Sequence, residues 1–305
     1  MKSNKFTPAT ALFQLAFLAG LSLPLYGGSP ATVTSSVPVP VSGTGSWKDH
    51  TISPVANFTN FEDPVIRNEV RPVYVYHNID DSFITGGGDA YAVGVQLRYA
   101  VTDRLAVFLN QGGYIGVNPT LGENFNGWAD LGFGFKYALI DDEASQFILP
   151  PGIAFVAPTG EDEIFHGKGS GLWNFFLSGA KGFGDLHFTG NAGFRVPNDG
   201  DAQSTIFHYS LQADYYFCRW FIPFVFANGW TVIDNGNNVP LNTEGYDFFN
   251  FGSSMADGVT HVTAGGGLRI RVLDNTDIGV AYERAVAEPQ GLFDDRFTFD
   301  VSIRF

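Results

Sequence analysis

From about residue 70 to the C-terminus, short and long connections alternate without exception, and this regularity constrains the fold more than any other feature of the chain. The connections join twelve segments of about ten residues in which apolar side chains alternate with polar or small ones, the period of a strand with two unlike faces. The segments run 70–78, 89–101, 105–116, 127–139, 146–158, 171–183, 185–196, 204–217, 220–233, 259–272, 276–286 and 296–305. Odd segments are followed by the long links 79–88, 117–126, 159–170, 197–203, 234–258 and 287–295. Even segments are followed by tight turns such as Thr102-Asp103-Arg104, Asp141-Asp142-Glu143-Ala144 and Asp274-Asn275. Short turns at one end and long loops at the other mark an all-β, up-and-down antiparallel barrel that crosses an outer membrane, with the short turns periplasmic and the long loops external.

A soluble sandwich alternates faces too, and three features oppose it. Soluble strands run to about six residues, whereas about ten span a membrane at a tilt. The polar faces hold mainly Gly, Ser, Thr, Asn and Gln, and only 16% of the chain is charged, against about 25% in a typical soluble domain. Rings gather at segment ends, as at Tyr215, Tyr216, Phe217 and Trp220, where an interfacial girdle belongs. In lipid every backbone amide needs a partner, so the first segment must pair with the last. The first, fifth, sixth and ninth segments are irregular, and their facing stays open.

The N-terminus has the form of an export signal: Lys2 and Lys5, an apolar run from Ala11 to Leu25, then small residues up to Ala31. Residues 1–31 are expected to be removed, taking the formal net charge from −14 to −16 by loss of the two lysines. Residues 32–65, rich in Pro, Ser, Thr and Gly, are expected as a periplasmic arm or linker, and 66–305 as the barrel. The single cysteine, Cys218, excludes an internal disulfide. An acidic exported chain is a poor fit to nucleic acid, and no nucleic-acid partner is expected.

With the apolar faces on lipid, the other faces line the interior. The inward candidates are the cations Arg98, Lys136, Arg195, Arg269, Arg271 and Arg304 and the acids Asp130, Asp214, Glu283 and Asp300. Unpaired charge in a narrow lumen is costly. These side chains therefore form either a structural ion-pair network or a constriction of opposed clusters that orients polar solutes. Glycines on the same face (Gly94, Gly132, Gly134, Gly193, Gly265, Gly267) leave space or permit curvature. A barrel of this size is a narrow channel, or is plugged by side chains, loops or the arm. The long loops are acidic, with Asp80, Asp81, Glu161, Asp162, Glu163, Glu244, Asp247 and Glu288 among their carboxylates, as solvated loops commonly are. No cofactor or metal is expected: Asp234-Asn235-Gly236-Asn237-Asn238 lacks the bidentate Glu of a calcium loop.

Phe305 completes the last alternating strand, an ending that resembles the C-terminal signal read by the barrel-assembly machinery. The middle of the chain resembles the outer-membrane transporter family named for the MetA pathway of phenol degradation. Residues 127–139, Gly-Trp-Ala-Asp-Leu-Gly-Phe-Gly-Phe-Lys-Tyr-Ala-Leu, are similar to its GxxDLxxGxKYxL strand. Pro158-Thr159-Gly160-Glu161 is similar to its PTGD strand exit, and Ser178 to Asp185 to its SKxFGD hairpin. The resemblance spans roughly residues 90 to 305 and implies uptake of small aromatic compounds.

The expected function is thus passive uptake of small solutes, aromatic or hydrophobic ones among them, through an outer-membrane channel rather than an enzyme. Outer-membrane lipid, lipopolysaccharide, periplasmic chaperones and the assembly machinery are its expected partners. The alternatives are a lipid hydrolase, for which His208 and Ser210 are too far apart at i, i+2 to touch, or a structural or adhesive barrel without an open pore. His187 and His208 are candidate cross-strand neighbours, though no carboxylate or cysteine completes a metal set around them.

Overall fold

The computed structural model describes residues 45–287 and 292–305. Twelve antiparallel strands close into a barrel. They are β1 (Glu69–Ile79), β2 (Gly88–Ala100), β3 (Leu105–Gln111, resuming as Tyr114–Pro119) and β4 (Phe125–Trp128, resuming as Leu131–Tyr137). Next come β5 (Phe147–Leu149 and Pro151–Ala157), β6 (Leu172–Phe183), β7 (Leu186–Pro197) and β8 (Thr205–Tyr215). The ring is completed by β9 (Ile222–Asp234), β10 (Thr260–Leu273), β11 (Thr276–Ala285) and β12 (Asp295–Arg304). Each strand pairs with its sequence neighbours, and β1 pairs with β12 through a register that sets Tyr74 opposite Phe299 and Val73 opposite Asp300. Closure leaves no row of unpaired amides to face lipid. The boundaries follow the alternating segments of the sequence to within a few residues. The proposed leader and residues 32–44 lie outside the described residues, as does Glu288.

Facing follows the alternation. On β12, Phe297, Phe299 and Ile303 point out while Arg296, Thr298, Asp300 and Ser302 are buried inside. On β6, Trp173, Phe175 and Leu177 point out while Asn174, Phe176 and Ser178 are inside. The outer surface is accordingly a belt of aromatic and aliphatic side chains, the composition that a hydrocarbon solvent requires.

Inward glycines have a specific partner. A Cβ on Gly267 would lie 2.4 Å from the Phe224 ring, one on Gly152 2.2 Å from Phe176, and one on Gly134 2.7 Å from Phe108. Each ring is the directly opposed residue on the next strand. The space that these glycines leave is filled by rings lying flat along the wall, a pairing that covers bare backbone and pins register.

β3 breaks at Gly112-Gly113, both at positive φ (+145° and +137°). A side chain on Gly113 would stand 2.2 Å from the Val93 carbonyl oxygen, so the two backbones meet here only because the position is glycine. Gln96 bridges the gap in the ladder, its side-chain amide donating to the Asn110 carbonyl at 2.8 Å. The break shifts phase, so that Phe108 on one side and Ile115 and Val117 on the other all face inward.

Candidate functional site

Two chain segments fill the lumen. The first is residues 45–68, of which 45–65 belong to the stretch expected as a periplasmic arm or linker and 66–68 to the expected barrel. It enters at the short-turn end, where Lys48 Nζ meets Asp141 at 2.5 Å and His50 bonds Asp185 at 2.7 Å while stacking on Tyr216. Ile52, Val55 and Ala56 then pack on Ile222, Phe224 and Phe226 of β9. The segment turns at Asn57, whose carbonyl accepts from the amides of Asn60 and Phe61 and whose side chain donates to Ser210 Oγ at 2.9 Å. It then runs back to β1 at the end where it entered, as it must, since β1 begins beside the C-terminus of β12.

The second segment is the connection between β9 and β10, which folds inward from the long-loop end. Glu244 gathers it into a compact turn, accepting from Ser204 Oγ at 2.7 Å and from the amides of Ser253 and Phe251 at 2.7 and 2.8 Å. Asp247 at its tip takes a bidentate pair from Arg296, at 2.6 and 2.8 Å. His166 bonds the Phe248 carbonyl at 2.9 Å, and the Tyr246 ring stacks on His261 with centroids 4.2 Å apart. Glu244 and Asp247, expected on a solvated acidic rim, are instead 0% and 2% exposed inside the barrel. The two segments touch where Thr59 Oγ1 donates to the Asp247 carbonyl at 3.3 Å. Beside that contact lies a cavity of about 30 Å³, walled by Phe58, Val73, Val75, Ala92, Ile115 and Phe248 and reaching the β3 break.

Each of the ten charged candidates has a partner; nine are buried and Arg304 is partly so. Arg98 and Lys136 both hold Glu62 of the arm, and Arg98 Nη1 also reaches Glu69 at 2.5 Å. Asp300 accepts from Arg71 at 2.6 Å and from Arg269 at 2.8 Å, and both guanidiniums also donate to arm carbonyls, those of Val55 and Ser53. Arg271 and Arg304 share Asp277, and Arg271 donates to the Asp49 carbonyl at 2.6 Å. Arg195 donates to the Tyr246 carbonyl at 3.2 Å. Glu283 accepts from Thr263 at 2.8 Å and Asn228 at 3.1 Å. Asp214 bonds His187 at 2.8 Å. Asp130 accepts from the amides of Gly160 and Gly167 and so organises the β5–β6 loop rather than the centre of the lumen. These charges form a paired network, in which the arm and the loop are full members, rather than two opposed banks across a gap.

Sequence reasoning missed Arg71, Arg296, Glu69 and Asp277 on the wall and Glu62 and Asp63 on the arm. Arg296 stands in phase with Thr298 and Asp300, so the alternation of β12 carried a signal for it. For Glu62 no periodic signal existed. His187 and His208 are not neighbours: His187 lies opposite Asp214, and His208 lies opposite Gly193 and bonds Asn174 at 2.8 Å. Ser210 Oγ bonds Asn57 of the arm, not His208. Phe305 follows β12 and is exposed.

The structure is similar to the COG4313 outer membrane channel from Pseudomonas putida F1. Identity is 15% and the TM-score 0.54, over 84% of this chain and all of that one (100%). It is also similar to the NanC porin, with 10% identity and a TM-score of 0.50, over 78% of this chain and 100% of that one. The fold is that of an outer-membrane β-barrel. At these identities the likeness is one of fold. No family model matches the sequence, and no curated protein matches it either.

Proposed function

We propose that this protein is an outer-membrane channel for passive uptake of small solutes, with small aromatic or hydrophobic compounds as its preferred cargo. One observation carries the reading: two chain segments enter the lumen from opposite ends and meet inside it. The wall itself carries glycines covered by rings, beside the paired charges described above. A barrel of twelve strands is wider than the eight or so whose own side chains fill the interior, so what fills the rest need not be part of the wall. Here the filling is attached to the wall by ion pairs and hydrogen bonds, and such contacts can part without unfolding a strand.

The cargo class rests on the motif resemblance at residues 127–139, 158–161 and 178–185. In this reading the chain is exported with cleavage near Ala31, inserted by the barrel-assembly machinery through its Phe305 end, and surrounded by lipid and lipopolysaccharide. Planar-bilayer conductance of the refolded full chain tests it. A folded, heat-modifiable barrel that never conducts would favour a structural or adhesive role.

A further inference from the structure

Glu62 sits on Arg98 and Lys136 as a bound anion would. Arg98 gives its carboxylate two parallel bonds, Nε to Oε1 and Nη2 to Oε2, both 2.8 Å. Lys136 Nζ adds a third to Oε1 at 2.8 Å. A guanidinium fork with a supporting ammonium is the arrangement by which proteins recognise a planar carboxylate. All three groups are buried, both cations belong to the wall, and the anion belongs to the arm. Glu69 on β1 keeps its own bond to Arg98 and would hold the fork in place after Glu62 had left.

The charge distribution points the same way. Among the described residues, the wall contributes seven buried cations and six buried acids, and the arm and the β9–β10 loop contribute four more acids, Glu62, Asp63, Glu244 and Asp247. With Arg304 of the wall and Arg67 of the arm, which pairs with Asp63 at 3.0 Å, also counted, acids exceed cations by one in the closed lumen, and withdrawal of the two segments leaves the wall net positive. The small, mainly apolar cavity, which also has His166 and the Arg296-paired Asp247 in its wall, reaches Gly94, four residues along β2 from Arg98, about 13 Å away. A solute with an apolar body and an anionic head would meet the two in succession.

We propose that Arg98 and Lys136 form a binding site for small organic carboxylates, aromatic acids included, and that Glu62 is a tethered competitor that keeps the site closed until such an anion displaces it. This rests on the channel reading above and names the substrate class.

The test uses the refolded full chain in liposomes and planar bilayers, with benzoate and its neutral analogue benzyl alcohol as probes. E62Q removes the competitor's charge and leaves both cations. It is expected to raise benzoate flux about tenfold, to raise benzyl alcohol flux much less, and to shift the reversal potential toward anions. Adding K136M to E62Q is expected to lower the benzoate-to-benzyl-alcohol ratio about tenfold. If E62Q does not fold, K136M alone serves, because Arg98 still pairs with Glu62 and the same ratio is expected to fall. Equal gains for both probes, or a ratio that K136M does not move, would overturn the carboxylate site and leave the channel standing. Absence of flux for either probe in every folded variant would overturn the channel reading and this inference with it.

Discussion

Asp300→Asn tests whether the interior network holds the barrel and its arm together. Asp300 is wholly buried on β12 and is the shared acceptor of Arg71 and Arg269, both also wholly buried. Asparagine keeps the shape and removes the charge, leaving two guanidiniums near one another with no carboxylate between them. Glu69 and Asp277 lie close enough to act on these guanidiniums, but Arg71 Nη1 and Arg269 Nε and Nη1 already lack a hydrogen-bond partner. Removing one member of a buried ion pair costs about 3–5 kcal/mol. Here two pairs lose the same member, so the upper part of that range is expected. The same two guanidiniums donate to the Ser53 and Val55 carbonyls, so the arm loosens as the wall does. Urea unfolding of the barrel in lipid vesicles measures the first effect, and protease nicking between residues 45 and 68 of the folded variant measures the second. A loss below about 1 kcal/mol, the size typical of an exposed pair, would refute the reasoning.

Two further outcomes follow from other parts of the molecule. Gly152→Ala, whose new methyl would strike the Phe176 ring first, is expected to cost about 1–3 kcal/mol in the native background; in Phe176→Ala the same change is expected to cost much less, and additivity of the two in vesicle unfolding would rule out the ring-over-glycine packing. Burial pushes the Glu62 carboxyl of the arm up, but Arg98 and Lys136 outweigh it and hold the group below the ordinary glutamate range. A lowered carboxylate stabilises fully above its unfolded value and loses that contribution as pH falls through the folded one. The arm should therefore stay seated at pH ~5 and leave only in stronger acid, seen as a red shift in the fluorescence of buried Trp47 taken by difference from Trp47→Phe; a shift already present near pH ~6 would contradict it.

The sequence made the wall legible because lipid imposes a simple rule. One face of each strand must be apolar, so Leu131, Phe133, Phe135 and Tyr137 announce the outside of β4 as plainly as Lys136 announces its inside. The rule fails where the interior is apolar as well. β9 places Ile222, Phe224 and Phe226 inward, against Ile52, Val55 and Ala56 of the arm, so neither face of the strand is polar and its phase could not be assigned. Gly265 and Gly267 suggested room or curvature, and only the register shows Phe226 and Phe224 lying over them. The plugs were least legible. Glu244 and Asp247 look like ordinary loop acids until Ser204 and Arg296, distant in sequence, are brought to them. Glu62 lies in a stretch with no strand period, and its role depends on cations 36 and 74 residues away.

If two displaceable segments close this barrel, loosening both must open it. Single-channel recording of the refolded full chain, beside a variant carrying Glu62→Gln and Asp247→Asn together, tests it most directly, because each substitution weakens the seat of one segment and leaves every strand unchanged. Rare, brief openings are expected in the native chain and long, larger ones in the variant, with both migrating as heat-modifiable barrels. Identical silence, or identical conductance, from two equally folded proteins would contradict it.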